Sequence, residues 1–370
     1  MTGDGKKPMK VAIIGAGIAG LSCALELEKQ GIRPVIFEKR HRLGSPFPFA
    51  PVLLNFVFRP VKDQIKELKK SFDIDIKPIT DIRLLRVQGP TTEYTVGGHL
   101  GYSVLRGQDQ YSLEIQLAGR LKTPVRFESP VKPKDLLKDF DYLVVADGTK
   151  DYAKELGIWK STYQSWVRGA TVLGRFNPQE VRYWFNTGYA KSGFAYLVPL
   201  GTERATLILN VSYIAQDELS QYWQAFINIE KINPETVMNW DIDYETGLVF
   251  PHRVGNTYFI GNSGGFVTGW LGIGVFSSIA SGVEAARSIA RGTNYEKKMR
   301  HLHKIMERQA RFRLLWDGFN NRNLERAVRL MGRPVLKHPL YHTDLDVMKT
   351  VDPIIQFWLS KIPDNEKRVH

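Results

Sequence analysis

Cysteine is nearly absent: the 370 residues contain one, Cys23. A lone thiol cannot close an internal disulfide, which fits a reducing compartment and so points to the cytoplasm. Cys23 lies within an apolar helical stretch, where a buried structural thiol is expected rather than a reactive one. Metal chemistry finds no support either. No paired Cys/His zinc spacing occurs, and among the eight histidines the pair in HLH at 301–303 has i, i+2 side chains that diverge on a helix. Any aromatic RNA-binding signature is missing too, which argues against nucleic acid as a partner. The opening MTGDGKKPMK lacks the apolar core and small-residue cleavage site of a secretory signal.

Long hydrophobic runs are equally scarce. One stretch, Val254 to Val283, carries no charged side chain and is long enough to cross a bilayer. Inside it, however, Gly261 to Gly282 holds seven glycines in 22 residues, and each interior glycine costs a helix about 1 kcal/mol relative to alanine. That composition suits a loop whose backbone approaches a ligand, leading into a buried helix near Val275. Acidic residues are outnumbered 38 to 51, for a formal net charge of +13. The excess is concentrated between Arg287 and Lys337, where 14 Lys or Arg face 4 Asp or Glu. There, Leu302, Ile305, Met306, Gln309, Arg313 and Trp316 fall on one helical line, beside Lys297, Lys298, Arg300, Lys304, Arg308 and Arg311. A basic helix with an apolar stripe can lie on an anionic membrane, giving a membrane-peripheral protein. Packing of that stripe against the rest of the chain is the alternative.

A hydrophobic fraction of 43% and a charged fraction of 24% are ordinary for a globular protein. The length suits two domains, or one large domain with insertions. KVAIIGAGIAGLSCALELEKQGIRPVIFEKR reads as strand, glycine turn, helix and strand, with the helix ending at Gly31. The proline-interrupted Pro46–Pro60 cannot be one regular element. A short amphipathic helix is expected over 61–72, strands over 77–88 and in EYTVGGHLGYSVL, a helix over 106–121 and a buried strand in DYLVVADG. Tyr163 to Tyr196 holds nine aromatics in 34 residues and continues into GFAYLVP and RATLILNVSY, which together suggest an antiparallel sheet with an aromatic face. After Glu284 the chain reads as helical and basic.

Gly15, Gly17 and Gly20 form G-x-G-x-x-G between a strand and a helix. This is the context in which the motif signals a dinucleotide, its pyrophosphate resting on the helix N-terminus. Glu38 follows at the end of the second strand, placed to accept from a ribose hydroxyl, so FAD or NAD is expected rather than NADP.

Taken with ADGTK at 146–150 and TYFIGNSGGFVTGWLGIGVFSSIASGVEAA at 257–286, the order of motifs resembles FAD enzymes of the p-hydroxybenzoate hydroxylase fold, and most of all the geranylgeranyl reductases. The resemblance covers most of residues 9–292. It implies an α/β protein in which a Rossmann-like FAD-binding domain (8–60, 100–160 and 246–295) carries an inserted α+β, antiparallel-sheet substrate domain (61–99 and 161–245). A helical C-terminal region (296–370) follows. It also implies that the cofactor is held by Gly15, Gly17, Ala19, Gly20, Glu38, Lys39, Arg106, Asp147, Gly148, Gly261, Asn262, Gly272 and Gly274. The chain departs from the family at several points. Asn262 stands where the family has an acidic residue, Gly269 replaces a proline near the flavin ring, and Tyr196 replaces a tryptophan of the substrate motif. Tyr152 and Lys154 lie near the site where the hydroxylases carry Ser and Arg.

The implied function is an FAD-dependent oxidoreductase for a hydrophobic small molecule such as a polyprenyl chain or quinone-like ring, with NAD(P)H or a protein as electron donor. Aromatic hydroxylation by reduced flavin and oxygen is a second reading. A flavin-fold binding protein without catalysis is a third. Candidate proton donors are His99, Tyr196 and His252, which lie in segments the resemblance places near the substrate sheet.

Overall fold

The computed structural model describes residues 9–361. Residues 1–8 and 362–370, and with them the outer ends of the first and last expected segments, lie outside the described residues. Val11–Ile14 (β1), Ile18–Lys29 (α1) and Val35–Phe37 (β2) form the expected βαβ unit. Val52–Leu54 (β3), the regular piece of the proline-rich segment, precedes Gln64–Phe72 (α2), Thr80–Gln88 (β4), Glu93–Ser103 (β5), Leu113–Ala118 (α3) and Val125–Arg126 (β6). Pro133–Leu136 (α4), Tyr142–Val145 (β7) and Asp151–Glu155 (α5) follow. The middle of the chain supplies Trp159–Leu173 (β8), Glu180–Trp184 (β9), Thr187–Ala190 (α6), Phe194–Pro199 (β10), Arg204–Ser212 (β11), Leu219–Ile229 (α7) and Glu235–Val249 (β12). Arg253–Val254 (β13), Thr257–Phe259 (β14) and Val275–Arg291 (α8) precede four C-terminal helices: Tyr295–Asp317 (α9), Asn321–Met331 (α10), Pro334–His342 (α11) and Val347–Ser360 (α12).

Two sheets organise these elements. One runs β13-β14-β7-β1-β2-β6, and its four central strands are parallel. Its strands read as continuous apolar runs because both faces are covered, and β1 is buried at all four residues. The other sheet runs β12-β8-β11-β10-β9-β4-β5-β3. It is antiparallel throughout except where β4 meets β9 in parallel. The expected boundaries at 60/61 and 99/100 cross this second sheet, since β3 pairs with residues 101–103 of β5.

Several local expectations are revised. The helix expected over 106–121 shrinks to 113–118, because Gly107 takes φ +129, the Asp109 carboxylate accepts from Tyr111 N and Ser112 is extended. α2 starts at Gln64 rather than at 61, since Asp63 caps it by accepting from Lys66 N. The uncharged run at 254–283 is strand, loop and helix. Among the described residues no helix is long and apolar enough to cross a membrane.

The stripe on α9 is also corrected as a membrane face. Leu302, Ile305, Met306, Gln309, Arg313 and Trp316 are all buried, so the line packs inward. Arg313 lies 3.8 Å above the Tyr163 ring and donates to Ser192 and Ser212 Oγ at 2.7 and 3.2 Å, besides pairing with Asp317. A buried guanidinium is tolerated only with such partners. The flanking cations in part serve α12: Arg311 forks onto Asp352 at 2.8 Å through two nitrogens, and Arg308 reaches Asp346 at 2.9 Å.

The two sheets are clasped at a buried carboxylate. Glu245 on β12 accepts from Lys150 Nζ at 2.5 Å, Lys154 Nζ at 3.1 Å and Trp159 Nε1 at 2.9 Å. Burial alone would raise its pKa, but these three donors outweigh it and bring it down to about 2. A carboxylate depressed in the folded state adds stability above its unfolded pKa, and that stability is lost as pH falls towards the folded value. The clasp should therefore weaken between about pH 4.5 and about pH 2. Glu245→Gln should lose on the order of 2–3 kcal/mol at pH 7 and show a flatter acid limb than the wild type. Urea unfolding of both proteins at pH 7, 5 and 3.5 checks this, and parallel stability curves would contradict it.

Candidate cofactor site

Each cofactor motif lies at the carboxyl end of a parallel strand. β1 runs into Gly15–Gly17, β2 into Glu38, β7 into Ala146–Gly148 and β14 into Gly261–Gly264. In open α/β sheets this edge is where ligands bind. Helices α1 and α8 start from it, capped by Gly17 and Gly274, so their N-terminal N–H groups face the same edge. The structure thus brings together Gly15, Gly17, Ala19, Gly20, Glu38, Asp147, Gly148, Gly261, Asn262, Gly272 and Gly274.

The glycines divide by what surrounds them. A Cβ on Gly15, at φ +102, would lie 2.5 Å from Ala146 O, so this turn tolerates no side chain. A Cβ on Gly17 would meet no protein atom within 4 Å. The turn is tight on its inner side and open at Gly17, the geometry that lets a pyrophosphate reach the backbone. Glu38 stiffens the loop from the side. Its Oε2 accepts from Ala16 N at 2.9 Å and its Oε1 from Arg40 N at 3.0 Å.

The second and third motifs are joined by side chains. Ser263 Oγ donates to Asp147 Oδ1 at 2.8 Å and accepts from Gly148 N at 2.9 Å. Asp147 also accepts from Thr149 N and Oγ1, each at 3.0 Å. Asn262 Nδ2 donates to Gly148 O at 2.9 Å. A carbonyl can only accept, so this bond fixes the amide orientation. Asn262 Oδ1 is then a buried acceptor with no partner in the protein. Such an atom fits a ligand hydroxyl, since a buried acceptor left unsatisfied costs about 1–3 kcal/mol. With Gly17 open and Asn262 Oδ1 free, the residues present fit a dinucleotide bearing a polyol chain. Ser263 was not anticipated; its place in GNSGG was the available signal.

The remaining sequence candidates sit elsewhere or act differently. Lys39 is exposed. Arg106 Nε donates to the buried Glu114 at 2.6 Å, and its guanidinium lies 5.6 Å from the Phe49 ring centre. His99 lies on β5 beside Asp63 and Tyr102. His252 is buried, stacks on Phe266 at 4.8 Å and bonds Glu296 Oε2 through Nδ1 at 2.8 Å. Tyr152 stacks on Phe259, and Lys154 belongs to the Glu245 clasp.

Tyr196 has a different setting. On β10 it packs with Phe47, Phe49, Ile242 and Tyr244 against Val167, Ile208 and Trp240, where Phe47 and Trp240 stack at 4.7 Å. This apolar wall of the second sheet meets the cofactor loop at Tyr244: an ideal Cβ on Gly272 would lie 3.1 Å from its hydroxyl. Burial raises the phenol pKa of both Tyr196 and Tyr244, so both stay protonated across the physiological range. Sequence reasoning missed Tyr244, since nothing in NWDIDYETG marks it. Pro48 and Leu105, next in sequence to Phe47 and Arg106, line a cleft of about 1090 Å³ that also takes in Lys77, Thr171, Leu200 and Arg204.

Comparisons with known proteins agree with this fold. Residues 13–46 match a family model described as an NAD(P)-binding Rossmann-like domain. Over 40 residues the chain is 52% identical to the glutamate synthase (NADPH) small chain of Halomonas elongata, a match covering 11% of this chain and 8% of that protein. A geranylgeranyl bacteriochlorophyll reductase-like protein from Thermoplasma acidophilum superposes with a TM-score of 0.72 over 95% of this chain and 99% of that one, at 16% identity. A flavin-dependent brominase gives 0.62 over 95% and 98%, at 15% identity. Aklavinone-11 hydroxylase, in complex with FAD and aklavinone, gives 0.52 over 78% and 63%, at 19% identity. The chain has the mixed α/β fold that these flavin-dependent proteins share.

FAD titration separates the site's two contacts. Gly17→Val fills the open side of the turn and should abolish FAD binding with little change in circular dichroism. Asn262→Leu should weaken FAD binding by about 1–3 kcal/mol, whereas Asn262→Asp should bind equally or more tightly. Equal affinity in all four proteins would remove both loops from the site.

Proposed function

We propose that the protein is an FAD-dependent oxidoreductase acting on a hydrophobic substrate such as a polyprenyl chain or quinone-like ring. The observation that carries this reading is the seam at Gly272, where a protonated phenol on an apolar wall adjoins a cofactor loop. Gly17 and the α1 N-terminus would hold the pyrophosphate, Glu38 a ribose, and Asn262 Oδ1 a ribityl hydroxyl. When bound, FAD supplies two-electron transfer, the chemistry that no side chain of this protein can provide.

The chain's own residues orient the substrate and exclude water. Phe47, Phe49, Val167, Ile208 and Trp240 offer a carbon surface whose one polar group is the Trp240 indole N–H, which favours an apolar substrate over a polar one. Tyr196 and Tyr244 hold protons at their hydroxyls beside that surface. Either could donate to a substrate carbon or oxygen as charge develops there. His99, beside Asp63, and His252, bound to Glu296 within the core, are not among the residues packed at that surface. The reducing electrons come from NAD(P)H or a protein donor.

Anaerobic reoxidation tests the reading. Holoprotein reduced with dithionite should be reoxidised by a short-chain quinone or a geranylgeranyl compound without oxygen. Tyr244→Phe should slow this by about tenfold to a hundredfold at unchanged flavin content. Reduced flavin that persists with both substrates until oxygen is admitted, with oxygen then consumed in proportion to substrate, would favour a monooxygenase instead.

A further inference from the structure

Helix α12 is amphipathic in an unusual sense. Its inner face carries Ile355 and Leu359, buried, together with Asp352, which is held by Arg311. Its outer face exposes Ile354, Phe357 and Trp358 at 60, 56 and 59%, an i, i+3, i+4 triplet on one side of the helix. A helix on a globular surface normally turns polar residues outward. Here the solvent side is aromatic and aliphatic.

The charges follow the same logic. Both acids of α12 and its N-cap are turned inward, Asp346 to Arg308 and Asp352 to Arg311. Among the described residues the exposed charges of the helix are Lys349, on a flank, and Lys361, just past its C-terminus on the side of the aromatic face. Lys361 Nζ lies 4.3 Å from the Phe357 ring centre. We infer that the outer face of α12 is a peripheral contact for an anionic lipid surface. Trp and Phe are the side chains that settle at the boundary between headgroups and acyl chains, and lysines beside them reach the phosphates while their stems lie along apolar surface. With 14 residues, at about 1.5 Å each, α12 is too short to span a bilayer and lies on it instead.

Charge decides between lipid and a second copy of the chain. A symmetric dimer through this face would bring Lys361 towards its own copy, in a protein of net charge +13, and among the described residues no acid on the face offsets it. Anionic headgroups supply the missing countercharge. The inference stands apart from the flavin reading, since it needs no cofactor.

Co-sedimentation of the full chain with vesicles tests it. Wild type should pellet with mixed phosphatidylglycerol and phosphatidylcholine vesicles at low salt, and little with phosphatidylcholine alone. Phe357→Ser/Trp358→Ser should lose at least about tenfold in partitioning, since each ring contributes buried apolar area. Lys349→Ser/Lys361→Ser should lose less, and only on the anionic vesicles. All four side chains are exposed, so thermal midpoints should match wild type. Three results would overturn the proposal: no pelleting of wild type, equal pelleting of the aromatic variant, or a wild-type dimer that the aromatic variant turns monomeric while neither protein binds vesicles.

Discussion

Helices α1 and α8 approach each other as closely as their backbones allow, and the cofactor site depends on that approach. An ideal Cβ on Gly282 of α8 would lie 2.3 Å from Ala19 O of α1, and one on Gly20 would lie 2.0 Å from Gly15 O. Either side chain would push the elements apart. Because both helices start at the same sheet edge, their close crossing sets the glycine turn and the Gly261–Gly264 loop side by side. It also explains why α8 is buried at 14 of its 17 residues, which gives that stretch its membrane-like composition without a membrane.

Around this crossing, buried charge is placed where segments distant in sequence must be joined. Arg287 on α8 bonds Glu26 of α1 at 3.1 Å and Ser71 O of α2 at 2.9 Å. Glu245 links the second sheet to the turn after β7, and Arg313 links α9 to β8, β11 and the loop before β10. Glu245 and Arg287 each meet several partners, whereas Arg313 bonds only through Nη2 and lays its guanidinium over the Tyr163 ring. The apolar wall of the second sheet is thereby held against the cofactor loop at Gly272, where substrate and cofactor would meet.

Much of the cofactor side was legible in the sequence, because close backbone approach can be met only by glycine, and glycine is visible at any position. Gly15, Gly17, Gly20 and the GNSGG loop carry their geometry in their identity. Tyr244 was not legible, and Ser263 was marked only by its place in GNSGG: the role of each comes from what lies across the fold, and a tyrosine in a strand looks the same at a site as in any sheet. The helix expected over 106–121 failed because turn chemistry at Gly107 and Asp109 outweighed helical spacing. The α9 stripe marked burial correctly but could not say against what. The exposed triplet of α12 was invisible for the converse reason, since the pattern Ile-x-x-Phe-Trp reads as a core face until none of the described residues is found to cover it.

The account stands on a dinucleotide cradle formed by the β1–α1 turn and the β14–α8 loop. Its most direct test is the visible absorption spectrum of the protein after incubation with FAD and removal of free ligand by gel filtration. Bands of oxidised flavin co-eluting with the protein at about one per chain are the predicted result. A colourless, folded protein after the same treatment would contradict it.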